Sequence, residues 1–388
     1  MKVYRVLIII LGIFMISMPT VVGVCMKGAQ IRPVNENRVV AQWPEGEVTQ
    51  LITADGSYGT AIETYYNDKF GLRDLFIRTK NQIRYSVFNM TPGLYIGEDG
   101  YLSYESLVSK VQITNEKMTQ EQLEEMVISF ENATNYLEEK GIGFYFLIAP
   151  QKNEVFPERT ENFPVQRPTP NNYEKLCALF KKSELLTGHF IDADSILVQA
   201  EEYFPTFYKT DFHWNGYGAT MVYSEIVNAC AAYDGLETAV YTEDDYSVYY
   251  GGDFNGGQLN DLPLLVGWEP ETEVVISKNT PGTLVEVTDG TEPNYAVAHY
   301  VNSNKNAPLG KILLIGDSYT WYLIASESGV LDCFKEVYWV HIGTMENALT
   351  NYAELVDYVV LEQVASGPES NLLSLSERIK KLYTESVD

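Results

Sequence analysis

The stretch Lys311–Trp321 constrains the fold more than any other part of the chain. Four apolar residues, Ile312 to Ile315, predict a short buried strand, which ends at Gly316. Asp317 and Ser318 follow at once, so the serine hydroxyl would lie exposed on a sharp strand-to-helix turn, surrounded by backbone N–H groups. A nucleophilic serine needs this geometry. Gly, Asp and Ser also dominate ordinary turns, so this motif alone leaves both interpretations open.

Other apolar segments alternate with helical patterns along the chain. They are Phe144–Ala149, Val337–Ile342 and Tyr358–Leu361. Strands that are apolar throughout and alternate with helices predict an α/β fold, in which a mostly parallel sheet is covered by helices on both faces. In such sheets the functional groups collect at the carboxyl ends of the strands. Lys152, His213 and Ser318 each follow a predicted strand or extended segment, which is consistent with that placement.

Local signals define the other elements. Thr119 and Gln122 form a capping-box pair that opens a helix, and Gly141 ends it. The core face of this helix carries apolar residues at helical spacing, namely Leu123, Met126, Val127, Phe130 and Leu137. The remaining predicted elements are a helix ending near Tyr85, a hairpin over Gly93–Tyr104, a short strand over His189–Asp192, helices over Tyr173–Lys182, Asp194–Glu202 and Tyr217–Tyr233, and a closing helix over Ser370–Tyr383 with Leu372, Leu373, Ile379 and Leu382 inward.

A second motif, T-D-F-H-W-N-G-Y-G, spans residues 210–218. Asp211 and His213 are two residues apart, so on an extended segment both side chains point to the same face. A hydroxyl nucleophile needs a base, and the base needs a partner that fixes its tautomer. Ser318, His213 and Asp211 can fill these roles. A histidine beside Trp214 is also often a plain core or surface residue, so the residues alone leave the triad as one of two interpretations.

The N-terminus carries a targeting or anchoring segment. Lys2 and Arg5 precede an uncharged run from Val6 to Met26, which is long enough to cross a hydrocarbon core, a length of about 20 residues. Because Thr20–Cys25 offers no clean small-x-small cleavage site, we expect an uncleaved signal-anchor over residues 1–27, with a cleaved signal peptide as the alternative. The positive residues keep the N-terminus cytoplasmic, and everything after the anchor is then outside.

The charge of the chain excludes some partners. The formal net charge is −26 and the isoelectric point is about 4.5, so nucleic acid and anionic membrane surfaces are repelled. Cys177, Cys230 and Cys333 lie outside the anchor, and at most one disulfide can form among them. Their spacing does not suggest a metal site, and we expect no cofactor.

The expected domain organisation follows from these patterns. Residues 28–60 are polar and predict a linker, and residues 61–388 form the α/β domain. Within that domain, residues 235–309 are rich in Gly, Tyr, Asp and Thr and predict a β-rich insertion. The Gly-rich segment Gly251–Gly257 lacks the Lys-Ser/Thr ending of a phosphate loop, so we expect a flexible bend there.

Taken in order, the motifs resemble those of a known family. Asp211-Phe212-His213-Trp214 and Gly316-Asp317-Ser318-Tyr319 are similar to motifs of the SGNH-hydrolase-like proteins of bacterial polysaccharide O-acetylation, which include the alginate acetylation proteins and the related DHHW family, named for Asp-His-His-Trp. The resemblance extends to F-G-L-R-D (70–74), Y-I-G-E-D-G-Y-L (95–102), I-A-P-Q-K-N-E-V-F-P-E (148–158) and V-V-L-E (359–362). It covers most of the part predicted to be exported.

The resemblance implies an SGNH-type α/β fold and transfer of acetyl groups to an extracellular polysaccharide, with acetyl supplied by a membrane-bound O-acyltransferase partner. It implies Ser318 as nucleophile, His213 as general base and Asp211 as its orienting carboxylate. We add Tyr319, Lys152, Trp214 and Glu362 as candidates for oxyanion or substrate contacts, with the backbone N–H of Ser318 or Tyr319 serving the oxyanion. The chain departs from the family at Phe212, expected to point away from the base, and at Gln363, where an arginine is common.

The residues also allow rival functions. An esterase of the same fold needs the same triad, because transferase and esterase differ in whether the site excludes water and binds an acceptor. A non-catalytic polysaccharide-binding or assembly protein could keep the fold without turnover. An anchor at the extracytoplasmic face of the membrane favours the transferase, whereas a form secreted after signal cleavage favours the esterase.

Overall fold

The computed structural model describes residues 2–26, 39–46, 56–88, 90–91, 93–105, 118–160, 169–237, 239–254, 264, 271–287, 296–365 and 368–384. The chain divides into two compact units. One is Met1–Pro92 with Asn260–Glu269, and the other is Gly93–Leu259 with Pro270–Asp388. Residue 61, the predicted start of the α/β domain, lies in the first unit.

Within its described residues, the first unit contains three helices. Helix α1 spans Lys2–Cys25, α2 spans Ser57–Lys69 and α3 spans Arg73–Phe88. The segment Tyr4–Cys25 of α1 is long and apolar enough to cross a membrane, which fits a signal-anchor or a signal peptide. Residues 57–60, the last residues of the predicted linker, form the first turn of α2. Of the remaining linker residues, only 39–46 and 56 are among the described residues.

The second unit contains the elements that position the candidate site. Its helices are α4 (Gln120–Glu139), α5 (Lys152–Val155), α6 (Asn172–Lys182), α7 (Ala193–Glu201), α8 (Gly216–Tyr233), α9 (Ser318–Ile324), α10 (Met345–Tyr352) and α11 (Pro368–Thr384). Its strands are β1 (Leu94–Ile96), β2 (Leu102–Tyr104), β3 (Gly143–Ala149), β4 (Tyr246–Phe254), β5 (Glu271–Lys278), β6 (Leu284–Glu286), β7 (Ala296–Asn302), β8 (Leu309–Gly316), β9 (Phe334–His341) and β10 (Tyr358–Val364).

The main sheet is mostly parallel. Within the described residues its strand order is β3-β10-β8-β9-β7-β6. Strands β3, β10, β8 and β9 are parallel to one another, whereas β7 and β6 add to one edge in antiparallel pairing. The predicted α/β class with a mostly parallel sheet is therefore confirmed, and the carboxyl ends of the four parallel strands lie at one edge of the sheet.

Helices cover both faces of this sheet. On one face, Phe130 of α4 and Ile379 of α11 pack with Leu313 of β8 in one buried cluster. On the other face, Val222 of α8 packs with Leu314 of β8 in a second cluster. Because successive residues of a strand point to opposite faces, the apolar run 312–315 supplies both clusters.

Helix α4 and the hairpin form as predicted. Thr119 accepts a hydrogen bond from the Gln122 N–H, and the Gln122 side chain accepts one from the Thr119 N–H, which completes the capping box. Gly141 follows the helix with a φ of +74°, a conformation that favours glycine. Strands β1 and β2 pair in antiparallel fashion around residues 98–100. Of the inward residues predicted for the closing helix, Ile379 is buried, and the side chains of Leu372, Leu373 and Leu382 lie outside the described set.

One prediction needs correction, because the segment His189–Asp192 forms a single bridge from Phe190 to Phe146 rather than a strand.

The segment 235–309 is β-rich as predicted, since its described residues contain the strands β4 to β7. Strands β4 and β5 form a separate antiparallel pair, whereas β6 and β7 extend the main sheet. The choice of a pairing partner depends on distant parts of the chain, which local patterns do not contain. Gly251 and Gly252 lie within β4, where the register shifts, and residues 255–257 of the Gly-rich segment lie outside the described residues.

Candidate active site

Ser318 is the first residue of α9 and follows the carboxyl end of β8 after one intervening residue. Asp317 caps the helix, since its Oδ1 accepts the Tyr319 N–H at 2.9 Å, and its Oδ2 accepts the Val364 N–H of β10 at 2.9 Å. A Cβ atom at Gly316 would collide with the side chains of Thr320 and Glu362, so the turn requires glycine. This turn leaves the Ser318 side chain exposed at the sheet edge.

The structure brings Ser318, His213 and Asp211 together. The Ser318 hydroxyl donates to His213 Nε2 over 2.7 Å, and His213 Nδ1 donates to Asp211 Oδ1 over 2.5 Å. Asp211 Oδ1 also accepts the backbone N–H of His213 at 3.0 Å. Asp211 and His213 are buried, with exposed fractions of 0% and 1%. The arrangement gives an exposed hydroxyl, a base on its proton and a carboxylate on the far nitrogen of that base.

Aromatic rings hold the imidazole from its sides. The Tyr322 hydroxyl donates to Asp211 Oδ2 over 3.1 Å, and the Tyr322 ring centre lies 4.6 Å from that of His213. The Phe212 ring centre lies 3.9 Å from that of His213. Phe212 therefore packs against the base instead of pointing away from it, which corrects the expectation. The described backbone of residues 209–213 is a series of bends rather than an extended segment, so the ring and the imidazole can approach each other.

Lys152 lies under the segment that carries Asp211. Its Nζ donates to the carbonyl oxygens of Tyr208, Lys209 and Asp211 over 3.0, 3.0 and 2.8 Å. Three acceptors match the three donors of an ammonium group. The side chain is 3% exposed, and burial lowers the pKa of Lys152 to about 7. The predicted substrate contact by Lys152 is therefore corrected, because its donors are used by the loop.

Trp214 and Tyr319 join the same segment to α9. The Trp214 indole N–H donates to the Tyr319 carbonyl oxygen over 2.9 Å, and the Tyr319 hydroxyl donates to the Phe212 carbonyl oxygen over 2.9 Å. Both side chains are 0% exposed, so neither reaches a ligand at Ser318. The Tyr319 N–H is bound to Asp317, which removes it as an oxyanion donor. Within the described residues, the Ser318 N–H has no hydrogen-bond acceptor.

Glu362 of β10 accepts hydrogen bonds from the turn between β8 and α9. Its Oε2 accepts the Asp317 N–H at 3.0 Å and the Thr320 hydroxyl at 2.8 Å, and the residue is fully buried. Burial, followed by the nearby Asp317 carboxylate, raises the pKa of Glu362 well above its ordinary value. Burial also raises the pKa of Asp317. We infer that this carboxyl pair holds a proton and that Glu362 positions the turn, which corrects its assignment as a substrate contact.

Sequence reasoning missed two residues of this arrangement. Tyr322 lies four residues after Ser318 and therefore on the same face of α9, which is the signal that could have revealed it. Asp317 precedes a helix start, where aspartate is a preferred cap. Both were visible in the motif, but their partners Asp211 and Val364 are distant in sequence.

The sequence around this site matches a known protein family. A family model described as the SGNH hydrolase-like domain of the acetyltransferase AlgX matches residues 94–325, which is more than half of the chain. The chain belongs to this family. The matched residues of the AlgX family include Lys152 and the motifs at 210–218 and 311–321, whereas Glu362 and Gln363 lie beyond them. Gln363, which stands where the resemblance leads us to expect arginine, is largely buried at 6% exposure.

Individual relatives of this member of the AlgX family are distant. A probable alginate O-acetylase AlgJ from Azotobacter vinelandii is 24% identical over 216 residues, which are 54% of this chain and 52% of the relative. The chain spans about half the length of the curated relatives it matches. The O-acetyltransferase domain of Pseudomonas putida AlgJ has a TM-score of 0.48 and 16% identity, over 75% of this chain and 98% of that one. A DHHW family protein from Eubacterium siraeum has a TM-score of 0.45 and 15% identity, over 75% and 96%.

Proposed function

We propose that this chain is an extracytoplasmic O-acetyltransferase that moves acetyl groups onto a polysaccharide through an acetyl-serine at Ser318. The observation that carries the proposal is the continuous pair of hydrogen bonds from Ser318 through His213 to the buried Asp211. Membership in a family described by an acetyltransferase supports it, as do relatives named as alginate O-acetylases.

The chemistry begins with the proton of Ser318. Ser318 Oγ attacks the carbonyl carbon of an acetyl donor while its proton passes to His213 Nε2. The imidazolium then donates that proton to the leaving group as the donor's acyl bond breaks, which leaves acetyl-serine. A sugar hydroxyl gives its proton to His213 and attacks the acetyl-serine, and the proton returns to Ser318 Oγ. Asp211 stabilises the imidazolium in both halves because it is buried and bound to Nδ1–H.

The tetrahedral intermediates need a donor for their oxyanion. The Ser318 N–H is our candidate, because the Tyr319 N–H is bound to Asp317. One such donor contributes about 3 kcal/mol in comparable sites.

The N-terminal helix suggests where the acetyl group comes from. Helix α1 would hold the enzyme at the outer face of the membrane, where a membrane-bound O-acyltransferase could supply acetyl groups. A second candidate function, carbohydrate acetylesterase, is favoured by the exposure of Ser318, because water reaching the acetyl-serine would release acetate.

The proposal is tested with the full chain in mild detergent and a chromogenic acetate ester. We expect Ser318→Ala to lower the rate of ester cleavage by about 10³-fold or more, since a triad acts as a unit. Ser303→Ala is the matched control, because it removes an exposed hydroxyl just after β7 that donates to the carbonyl oxygen of Thr283, the residue before β6. Equal rates for Ser318→Ala and the wild-type chain would refute the nucleophile assignment.

A further inference from the structure

We propose that the acceptor is a glycan without carboxylate groups, neutral or amino-substituted, and that one of its pyranose rings stacks on Trp321. This inference rests on the proposed acetyl transfer and names its acceptor class. Two observations carry it. One is an exposed tryptophan that lies one helical turn from Ser318. The other is the acidic strand pair, formed by β4 and β5, which packs against residues 208–213, the catalytic segment that carries Asp211 and His213.

Trp321 lies three residues after Ser318 on α9. Residues at this spacing are neighbours on a helix surface, with Cβ atoms about 5–6 Å apart. The Trp321 side chain is 49% exposed, although large aromatic side chains are usually highly buried. Its ring centre lies 5.4 Å from that of Trp339, at an angle of 31° between the rings. Trp339 is 5% exposed on β9, so a buried ring supports the exposed one.

This support makes Trp321 a fixed apolar surface beside the nucleophile. An aromatic face that is held by packing binds an apolar surface at low conformational cost. The C–H faces of pyranose rings are such surfaces, and an acceptor hydroxyl must come next to Ser318 for transfer to occur. Trp321 therefore has the position and the exposure of a stacking site for the acceptor.

The acidic strand pair disfavours an acceptor that carries negative charge. Strands β4 and β5 carry three carboxylates, Asp253, Glu271 and Glu273, and one lysine, Lys278, whose Nζ forms an ion pair with Asp332. Both strands contact residues 208–210, which precede Asp211. Glu271 of β5 accepts the N–H groups of Lys209 and Thr210 over 2.9 and 2.6 Å, and the Phe254 ring of β4 stacks on Tyr208 with centres 3.9 Å apart.

The cations next to this segment are already engaged. Lys152 is bound to three carbonyl oxygens. Arg159 forms an ion pair with Glu201, and Lys209 Nζ donates to the Asp99 carbonyl oxygen over 3.2 Å. Lys209 keeps its positive charge, because a carbonyl oxygen does not neutralise an ammonium group. The three carboxylates of β4 and β5 outnumber it, so a polyuronate such as alginate would meet net negative charge there. A neutral glycan is not repelled, and an amino glycan is attracted.

The test uses three hexamers of the same β-1,4-linked backbone, made of glucose, glucosamine and glucuronate. Each is titrated by calorimetry into the full chain carrying Ser318→Ala, which prevents turnover. At low salt we expect the glucuronate hexamer to bind at least about tenfold more weakly than the better of the other two, with the gap narrowing as salt screens the charges.

The stacking site is tested with the better-binding hexamer. Trp321→Ala should weaken binding about 10- to 30-fold, and Trp321→Phe should stay within about threefold because it keeps an aromatic face. Tyr203→Ala is the control, since it removes an aromatic ring that is 74% exposed and lies just after α7; it should leave the Kd unchanged.

Three results would overturn the inference: glucuronate binding as tightly as the other two hexamers, Trp321→Ala binding like its parent, or no hexamer binding at millimolar concentration. Failure of the proposed function is seen separately, as chromogenic acetate cleavage that does not depend on Ser318. Selective sugar binding without such cleavage would uphold the Trp321 site and refute the catalyst.

Discussion

At the residue scale, the position of His213 depends on side chains that do not take part in the proposed chemistry. Lys152 draws three carbonyl groups of the segment 208–211 onto one ammonium group. The indole of Trp214 and the hydroxyl of Tyr319 fix the same segment to α9. Since these groups are buried, the base is held by the interior of the domain and not by a mobile surface contact.

Lys152→Met should reveal this dependence. The methionine has a similar length but donates no hydrogen bond, so three buried carbonyl groups lose a partner. We expect the free energy of unfolding to fall by about 2–5 kcal/mol, and ester cleavage to slow, because unpaired buried polar groups are costly. Denaturant titration of the full chain measures the first effect.

The matched control for that experiment is Lys335→Met, which changes an exposed lysine of β9. It should shift the free energy of unfolding by about 0.5 kcal/mol or less. If the two variants lose equal stability, Lys152 has no special part in holding the segment.

The residues of the triad could be proposed from the sequence because each lies in a short motif with a turn signal. The roles of Lys152, Trp214, Tyr319 and Glu362 could not, because each depends on contacts with residues far away in the chain. A buried lysine bound to carbonyl oxygens and an exposed lysine at a substrate pocket have the same sequence signature.

At the element scale, β10 fixes the turn between β8 and α9. Glu362 accepts the Asp317 N–H and the Thr320 hydroxyl, while Asp317 accepts the Val364 N–H. The carboxyl end of one strand thus sets the start of the helix that presents Ser318. This coupling between neighbouring parallel strands explains why the turn is tight enough to require glycine at position 316.

Glu362→Gln should change how stability depends on pH. The pKa of Glu362 is raised in the folded chain by burial and by Asp317, so the folded state binds a proton that the unfolded state releases above about pH 4.5. The stability from this proton is complete below that pH and is lost as pH rises toward the folded pKa. Glutamine has no proton to lose, so denaturant titrations of this variant from pH 5 to 8 should show a flatter decline than wild type.

For a single proton, the free energy of unfolding falls by at most about 1.4 kcal/mol per pH unit, and Glu362→Gln should remove this part of the decline. Glu139→Gln, which changes an exposed carboxylate at the end of α4, serves as the control and should keep the wild-type slope. A Glu362→Gln profile that parallels wild type across this range would mean that Glu362 does not hold a proton in the folded chain.

Elements with strong local signals could be predicted, and their pairing could not. The apolar runs of β3, β8, β9 and β10 predicted a parallel sheet, because strands that are buried on both faces are apolar at successive positions and do not alternate with polar residues. The antiparallel strands of the β-rich segment were predicted, but the joining of β6 and β7 to the main sheet was not, since such strands are equally compatible with a separate sheet.

At the scale of the whole molecule, the chain combines an apolar N-terminal helix with a strongly acidic remainder. Helix α1 satisfies its own backbone hydrogen bonds, which a segment in lipid requires. Length and apolar composition made this segment predictable from the sequence. They do not distinguish a retained anchor from a cleaved signal peptide, because both use an apolar helix after positive residues.

We expect the chain to remain in the membrane with its first helix attached. After expression in a bacterium, the washed membrane fraction should contain the full chain, with an intact mass that includes residues 1–27 and with the region after the helix open to protease added outside the cell membrane. A soluble exported chain that begins after the apolar run would show that the segment is a cleaved signal peptide.

The proposed acetyl-serine at Ser318 can be observed by mass spectrometry of the enzyme during turnover. The full chain is mixed with an activated acetyl ester, quenched in acid during turnover and digested with trypsin, and the peptide containing Ser318 is sequenced by tandem mass spectrometry. We expect one acetyl group on Ser318, absent from the same peptide of Ser318→Ala, although that peptide keeps Ser326 and Ser328. Acetyl on another residue, or steady turnover without any acetylated peptide, would contradict this expectation.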